Sequence, residues 1–330
     1  MFKPLLNKRP GFDTHAAMKR RRSPRSAHLK CLVMTALAVL CGTGCLKQII
    51  LDGQIASTRK ASAALNTVGD YEVAQAAAQS GIATIEGLRY LAPDNEDALF
   101  MLTRSWAGLS FGFAEDAMER AEDADGTGPD WDYHKRRAEA GYDRAIWYGM
   151  QLVEKKAPGF KDATKNVATM TEYWKQFEDK EDAELLFWLG NAWLGRAGVS
   201  KEKPELVSEV FIGVTMVERS VELDPDFMMG TGFVLLGAYH ARTPMAELDE
   251  AKQLFDKAIS KSDGKMLLPK VQLAIRYHCN KGEKENYEKL LNEVLAAGDG
   301  EPYQRLPNTI AKRKAFRWLG KERMRANCGF

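Results

Sequence analysis

What this chain lacks narrows its class before any motif is considered. The apolar run Cys31–Leu40 covers only 10 residues, whereas a membrane-spanning helix needs about 20, so a permanent anchor helix is not indicated. The five cysteines include no CxxC pair and no metal-ligand spacing, which argues against a zinc or dithiol site. Alternating β-branched runs are absent after Cys45, so the pattern does not favour a β fold.

Motifs that carry catalysis are absent as well. The sequence contains no nucleophile elbow, phosphate loop, HExxH helix or dinucleotide fingerprint. The acidic run Glu115–Asp123 offers paired carboxylates, but such a run is far more often a solvated helix face. We therefore expect a protein that is not an enzyme and that uses neither a cofactor nor a metal.

The N-terminal region has the composition of a secretory signal. Residues 1–30 contain nine Lys or Arg and a single acid, and the apolar run follows directly. A basic segment before a short apolar run is typical of a signal peptide. The run leads into Cys-Gly-Thr-Gly-Cys, where small residues precede Cys45 as in a lipobox, although Gly42 stands where leucine is usual.

We predict a lipoprotein signal peptide over residues 1–44, with Met18 as an alternative start, and a mature chain that carries lipid on Cys45. A plain secretory signal cleaved nearby is the alternative. Because Leu46 follows the cysteine where Asp would signal inner-membrane retention, we expect an outer-membrane anchor that faces the periplasm. Stable anchoring needs at least two acyl chains, which a triacylated cysteine supplies.

The mature part is acidic once the basic leader is removed. It contains 38 basic and 44 acidic residues, which gives a net charge of −6. This charge argues against nucleic acid or an anionic membrane surface as a partner. Two cysteines remain after Cys45, and an oxidising compartment permits Cys279 and Cys328 to pair. The sequence leaves open whether they form this disulfide or stay as two free thiols.

Residues 45–330 are rich in Ala, Leu, Glu, Lys and Met, which favour helices, and helix breaks fall at Pro, Gly and Asp clusters. Acidic residues with glycine and proline predict a loop at Asp123–Asp132, and polar residues between two helices predict a second loop at Gly195–Pro204. The pattern predicts helices over Gln48–Asn66, Tyr71–Leu91, Glu96–Glu122, Tyr133–Lys156, Asp162–Gln176, Ala183–Leu194, Pro204–Leu223, Met228–His240, Pro244–Ser260, Leu267–Cys279, Glu285–Ala297 and Thr309–Ala326.

Helix breaks of related form recur along the chain. Leu91–Asn95 and Leu223–Phe227 each place a proline where one helix ends and the next begins. Leu189-Gly190 followed by Trp193 matches the small and aromatic positions of a tetratricopeptide helix. We predict an all-α fold of degenerate tetratricopeptide-type repeats, with antiparallel helix pairs in a solenoid or a compact bundle. An ordinary helical bundle is the alternative.

Aromatic residues supply the candidate ligand site. Trp106 and Phe113 are seven residues apart and are expected to share a helix face, while Phe111 lies off that face. Trp147 and Tyr148 follow in the next helical region. These five side chains are candidates for an apolar pocket or channel wall that binds a ligand. Packing of the repeat core is the alternative.

The chain ends in a basic helix within an otherwise acidic protein. Arg313, Arg317 and Lys321 on this helix are candidates for contact with an acidic patch of a partner. Equally, the basic residues can form a solvated face beside apolar residues expected to be buried on the same helix, which are Ala315, Phe316 and Leu319.

The block Trp106–Asp116, together with the helical remainder and the basic helix Ala311–Arg325, resembles the TatT family, the tetratricopeptide-like lipoprotein component associated with TRAP transporters. The resemblance implies an α-helical lipoprotein, assembled as a homotrimer, that docks a periplasmic solute-binding protein, the P component. It further implies help in delivering or receiving a hydrophobic or acidic ligand. The alternative function is a repeat lipoprotein scaffold for outer-membrane or envelope assembly complexes.

Overall fold

The computed structural model describes residues 46–242 and 246–330, and the regular elements in those ranges are helices. The predicted all-α class is therefore confirmed. The predicted signal peptide and the lipidation site Cys45 lie outside the described residues. Within the described ranges, no helix has the length and apolar character needed to cross a membrane.

Helix α1 covers residues 46–61 and continues into a 3₁₀ turn at Ser62–Thr67. The remaining helices are α2 Tyr71–Leu91, α3 Glu96–Leu109, α4 Glu115–Asp125, α5 Pro129–Lys156, α6 Phe160–Ala163, α7 Val167–Trp174, α8 Asp182–Val199, α9 Pro204–Ser208, α10 Val210–Leu223, α11 Thr231–His240, α12 Leu248–Lys261, α13 Leu268–Gln272, α14 Cys279–Lys281, α15 Lys284–Ala296, α16 Arg305–Trp318 and α17 Lys321–Cys328. A π-helical segment, Ser110–Ala114, joins α3 to α4, and a second, Leu273–His278, joins α13 to α14.

Local chemistry fixes several helix starts. The side chain of Asp70 accepts a hydrogen bond from the backbone of α2, and Asn95 does the same for α3. Asn166 and the third residue of α7 form a reciprocal capping box. Pro129 and Pro204 stand in the first turn of α5 and α9, where a missing N–H costs no helix hydrogen bond. Pro129 thereby starts α5 inside the segment predicted as a loop.

Successive long helices pack against each other along the chain. Helix α2 contacts α3, α3 and α4 contact α5, α5 contacts α8, and α8 contacts α10. The series continues through α11, α12, α13, α15 and α16. Gly190 of α8 and Gly213 of α10 allow the closest approach, since a Cβ added to Gly190 would lie 2.9 Å from the carbonyl oxygen of Gly213. The helix lengths range from 3 to 28 residues, and a tetratricopeptide repeat stays a prediction.

The last long helix packs against the first part of the chain. Helix α16 contacts α2 and the 3₁₀ turn at Ser62–Thr67. Leu306 of α16 packs in one apolar cluster with Tyr71 of α2 and Phe113 of the first π segment. Thr309 donates a hydrogen bond to the carbonyl oxygen of Gly69 at 3.0 Å. These contacts join residues more than 190 positions apart in the sequence.

Candidate functional site

The two π segments mark the part of the fold where charges gather. A π turn inserts a residue into a helix and is frequent at functional sites. Glu115 directly follows the first π segment, and Arg276 lies inside the second. The two charges act on each other, since each shifts the pKa of the other. We call Glu115, Glu119, Tyr142, Arg276 and Lys314 the Glu115 cluster.

Arg276 is the least neutralised cation of this cluster. Its Nε donates to Oε1 of Gln272 at 3.3 Å, and its guanidinium takes part in no ion pair among the described residues. Burial lowers the pKa of Arg276, although the negative charges of Glu115 and Glu119 oppose that shift. Its residue surface is only partly exposed. A guanidinium in this position has free N–H groups that can donate to a carboxylate.

Glu115 lies between burial, which disfavours its charged form, and neighbours that favour it. Burial raises the pKa of Glu115, and the charge of Lys314 and the hydroxyl of Tyr142, which donates to Oε1 of Glu115, only partly oppose this. Tyr142 is fully buried, and burial followed by the charge of Glu115 raises its own pKa. Glu115 therefore ionises less readily than an ordinary glutamate.

Glu119 favours its ionised form, and ion pairs within the chain neutralise its charge. Burial would raise the pKa of Glu119, yet Lys314, Arg317 and Arg323 outweigh burial and lower it. The Nζ of Lys314 lies 2.5 Å from Oε1 of Glu119, and Nη1 of Arg317 lies 3.1 Å from Oε2. The carboxylate of Glu119 is therefore doubly paired, and neither of its ion pairs involves Arg276.

Lys201 is a further cation whose charge interacts with that of Arg276. Burial among neighbouring groups, and then the charge of Arg276, lower the pKa of Lys201, while Glu115 and Glu122 oppose the shift. Like charges repel, and an anion bound beside Arg276 and Lys201 would relieve that repulsion.

The basic C-terminal helix meets the acidic run within the same chain. Arg317 is paired with Asp116 as well as with Glu119, and its side chain is only 7% exposed. Arg313 pairs with Asp116 at 2.9 Å, and Arg323 pairs with Asp123 at 2.7 Å. The sequence pattern suggested a solvated face, but Asp116 and Glu119 are paired within the chain. Among the acidic residues of the run, only those at its end, Glu122 and Asp123, are exposed.

This pairing bears on the partner contact predicted for Arg313 and Arg317, which stays a prediction. Their charges are neutralised inside the chain, so an acidic partner would have to displace Asp116 and Glu119. Lys321 is exposed. Of the apolar residues expected beside them, Ala315 is buried, whereas Phe316 is 73% exposed.

The predicted aromatic wall is divided between two places. Trp106 and Phe111 pack against the same apolar cluster, which contains Tyr142. Phe113 lies in a different cluster, with its ring centroid 5.0 Å from that of Tyr71. The expectation that Trp106 and Phe113 share a face was wrong because the inserted π residue rotates everything after it.

Trp147 and Tyr148 belong to a second polar centre around Glu86. The hydroxyl of Tyr148 donates to Glu86, Arg144 donates to it at 2.7 Å, and Trp106 Nε1 donates at 3.2 Å. Tyr148 is buried, but Trp147 is half exposed and borders a shallow groove of about 470 Å³. Three of the five predicted aromatic residues, Trp106, Trp147 and Tyr148, thus lie around Glu86. The sequence pattern did not single out this glutamate.

Near the C terminus, the structure joins Cys279 of α14 and Cys328 of α17 by a disulfide. The bond spans 49 positions of sequence and fixes the last helix beside the second π segment. Of the two alternatives that the sequence left open, the structure contains the paired form.

The described residues thus form an all-helical protein with a partly buried cluster of charged side chains. The family model described as TRAP transporter T-component (TAtT) matches residues 68–325, and the chain belongs to this family. The predicted resemblance is thereby confirmed, and with it an accessory role in a TRAP transporter. No curated protein matches the chain.

Proposed function

We propose that this chain docks the solute-binding P component of a TRAP transporter and takes part in transferring its ligand. Membership of the T-component family supports the transporter role. The observation that carries ligand transfer is Arg276, a half-buried guanidinium with no ion pair among the described residues. Such a group is costly to bury and gains its partner when an acidic ligand arrives.

The ligand of this site carries a carboxylate on an apolar body. Arg276 binds the acidic group, and Lys201 adds positive charge. Trp106 and Phe111 line the apolar cluster that contains Tyr142, which also bonds Glu115 of the charged site. The family resemblance implied a hydrophobic or an acidic ligand, and the proposed ligand has both properties.

The ligand class is tested with matched pairs of compounds. The full chain, purified in detergent, is titrated with straight-chain monocarboxylic acids of increasing length and with the primary amide of each. We expect acids to bind at least about tenfold more tightly than amides, since a charge-assisted hydrogen bond contributes about 1.5–3 kcal/mol. Arg276→Gln should remove this preference, and Arg325→Gln, which changes a side chain that is 76% exposed, should keep it. Equal binding of acid and amide to the unchanged chain would refute the carboxylate site.

For the anchor, we propose that residues 1–44 are removed as a signal peptide and that Cys45 carries lipid at the outer membrane, facing the periplasm. The lipobox-like sequence before Cys45 supports this. The same proposal includes a homotrimer, which rests on the family resemblance alone. Exposed Lys321 remains a candidate contact for the partner protein.

Docking is tested by native capture. The full chain, tagged at its C terminus, is solubilised from membranes in mild detergent, and retained proteins are identified by mass spectrometry. We expect the TRAP solute-binding protein encoded nearby to be retained, both with the unchanged chain and with Arg276→Gln, because the ligand site is not the docking surface. Recovery of outer-membrane assembly subunits without a solute-binding protein would favour the scaffold function instead.

A further inference from the structure

A second cluster of chemically active side chains lies at the junction of α11 and α12. His240 is the last residue of α11, Glu247 immediately precedes α12, and Glu250 lies in the first turn of α12. The backbone N–H of Glu247 donates to the carbonyl oxygen of His240 at 2.7 Å. This bond holds the two helix ends together independently of the side chains. None of these residues belongs to the Glu115 cluster.

The three side chains converge on one point. Nδ1 of His240 lies 2.6 Å from Oε2 of Glu247 and 3.6 Å from Oε2 of Glu250. All three donor atoms lie within 4.8 Å of one another. Ligands about 2.1 Å from a tetrahedral metal stand about 3.4 Å apart, so small side-chain rotations place all three around one ion.

The charges around His240 are unbalanced. Its side chain is 17% exposed, and Glu218 of α10 faces it from a third helix, since the charges of His240 and Glu250 both act on Glu218. Burial raises the pKa of Glu218, and the negative charge of Glu250 raises it further. Two carboxylates thus contact one imidazole, and the charge of a third, Glu218, interacts with it.

We propose that His240, Glu247 and Glu250 form a binding site for a divalent transition-metal cation of the zinc type. An imidazole nitrogen with carboxylate oxygens suits Zn²⁺ and its first-row neighbours, whereas Mg²⁺ and Ca²⁺ prefer oxygen ligands alone. Three protein ligands leave a coordination position for water. The bound ion joins the end of α11 to the start of α12 and neutralises the excess of carboxylates. This inference is independent of the proposed transport function.

The chain contains a matched control for this site. His278 and Glu283 form a pair of nearly the same geometry, with Nδ1 and Oε2 2.7 Å apart and an imidazole that is 12% exposed. The pair belongs to no group of three potential ligands among the described residues. A property shared by both pairs reflects an ordinary histidine–glutamate contact, and a property found only at His240 reflects the third ligand.

Isothermal titration of the full chain with ZnCl₂, in a non-chelating buffer containing excess Mg²⁺, tests the site. We expect one saturable equivalent of Zn²⁺, an affinity at least tenfold weaker in His240→Gln and in Glu250→Gln, and no change in His278→Gln. The Tm should rise with Zn²⁺ in the unchanged chain and in His278→Gln only. Glu250 is exposed, so Glu250→Gln remains informative even if His240→Gln fails to fold.

Three outcomes would overturn the metal site. They are the absence of saturable Zn²⁺ binding to the unchanged chain, equal binding by His240→Gln and Glu250→Gln, and displacement of Zn²⁺ by Mg²⁺ at similar concentration. The last outcome would assign the binding to the carboxylates alone.

Discussion

At the scale of single residues, the buried charges differ in how completely they are neutralised. Arg317 pairs with three carboxylates and Glu119 pairs with two cations, so removing Arg317 or Glu119 leaves its partners less compensated. Arg276 has no such ion pair among the described residues, and burial raises the pKa of Glu115. The paired charges of Arg317 and Glu119 should matter for stability, whereas Arg276 and Glu115 should matter for ligand binding.

Replacing Arg317 by Met should lower the free energy of unfolding by about 3–5 kcal/mol, because it leaves Asp116 and Glu119 buried with less compensation. Urea unfolding followed by circular dichroism measures this change. Arg325→Met, on an exposed side chain, should change the value by less than about 0.5 kcal/mol. Equal, small effects of both variants would mean that the Arg317 network contributes little to stability.

The two glutamates should affect stability with opposite dependence on pH. The pKa of Glu115 is raised by folding, so its ionisation opposes folding above about pH 4.3, the unfolded pKa. We expect Glu115→Gln to gain stability relative to the unchanged chain as pH rises from about 4.3 to 7. The slope cannot exceed about 1.4 kcal/mol per pH unit.

Glu119 has a lowered pKa, so its contribution is present above the unfolded pKa and is lost as pH falls through the folded pKa. Glu119→Gln should therefore lose stability relative to the unchanged chain as pH rises through about 4, the reverse of Glu115→Gln. Urea unfolding at a series of pH values gives both curves. Parallel curves for the two variants would contradict the assigned pKa directions.

At the scale of elements, sequence patterns predicted the helices well and their irregularities poorly. The predicted Tyr71–Leu91 has the observed bounds, because Asp70 caps it and its apolar spacing is regular. Both π segments were missed, since one inserted residue leaves the composition helical and shifts only the phase. That shift explains why Phe113 was assigned to the wrong face. The Glu115 cluster was also missed, because the residues next to Arg276 in the sequence do not indicate which distant residues it meets in the fold.

The packing of α8 against α5 gives a stability prediction with an internal control. A Cβ on Gly195 of α8 would lie 2.3 Å from the ring of Tyr142, which is fully buried and cannot move aside. Gly195→Ala should therefore cost about 1–3 kcal/mol and disturb the bond from Tyr142 to Glu115. Gly198→Ala, on the same helix with nothing within 4 Å, should stabilise by about 0.5–1 kcal/mol. A stabilised Gly195→Ala would contradict this packing.

The disulfide stabilises the last helix. We expect the double variant Cys279→Ser, Cys328→Ser to lose about 2–4 kcal/mol of unfolding free energy, the usual contribution of a bond closing a loop of about 50 residues. Urea unfolding with and without reductant measures it. Reductant should lower the free energy of unfolding of the unchanged chain to that of the variant, and it should leave the value for the variant unchanged. An effect of reductant on the variant would point to a different cause.

At the scale of the whole molecule, the contacts between distant segments were the least predictable. The acidic run and the basic helix each looked like a surface in sequence, yet Asp116 and Arg317 pair across 201 positions. The opposite charges of the acidic run and the basic helix are compatible with such pairing. A sequence pattern does not show which charged side chains pair inside the fold and which face solvent. The family match supplies the transporter role that no single site residue could supply.

The most direct test of the central claim measures binding between two purified proteins, the full chain in detergent and the TRAP solute-binding protein encoded nearby. We predict a saturable complex, formed equally by the unchanged chain and by Arg276→Gln. Ligand release from the solute-binding protein into the complex should be lost only with Arg276→Gln, and Arg325→Gln should behave as the unchanged chain. No complex at concentrations where each protein is folded would contradict the proposed role.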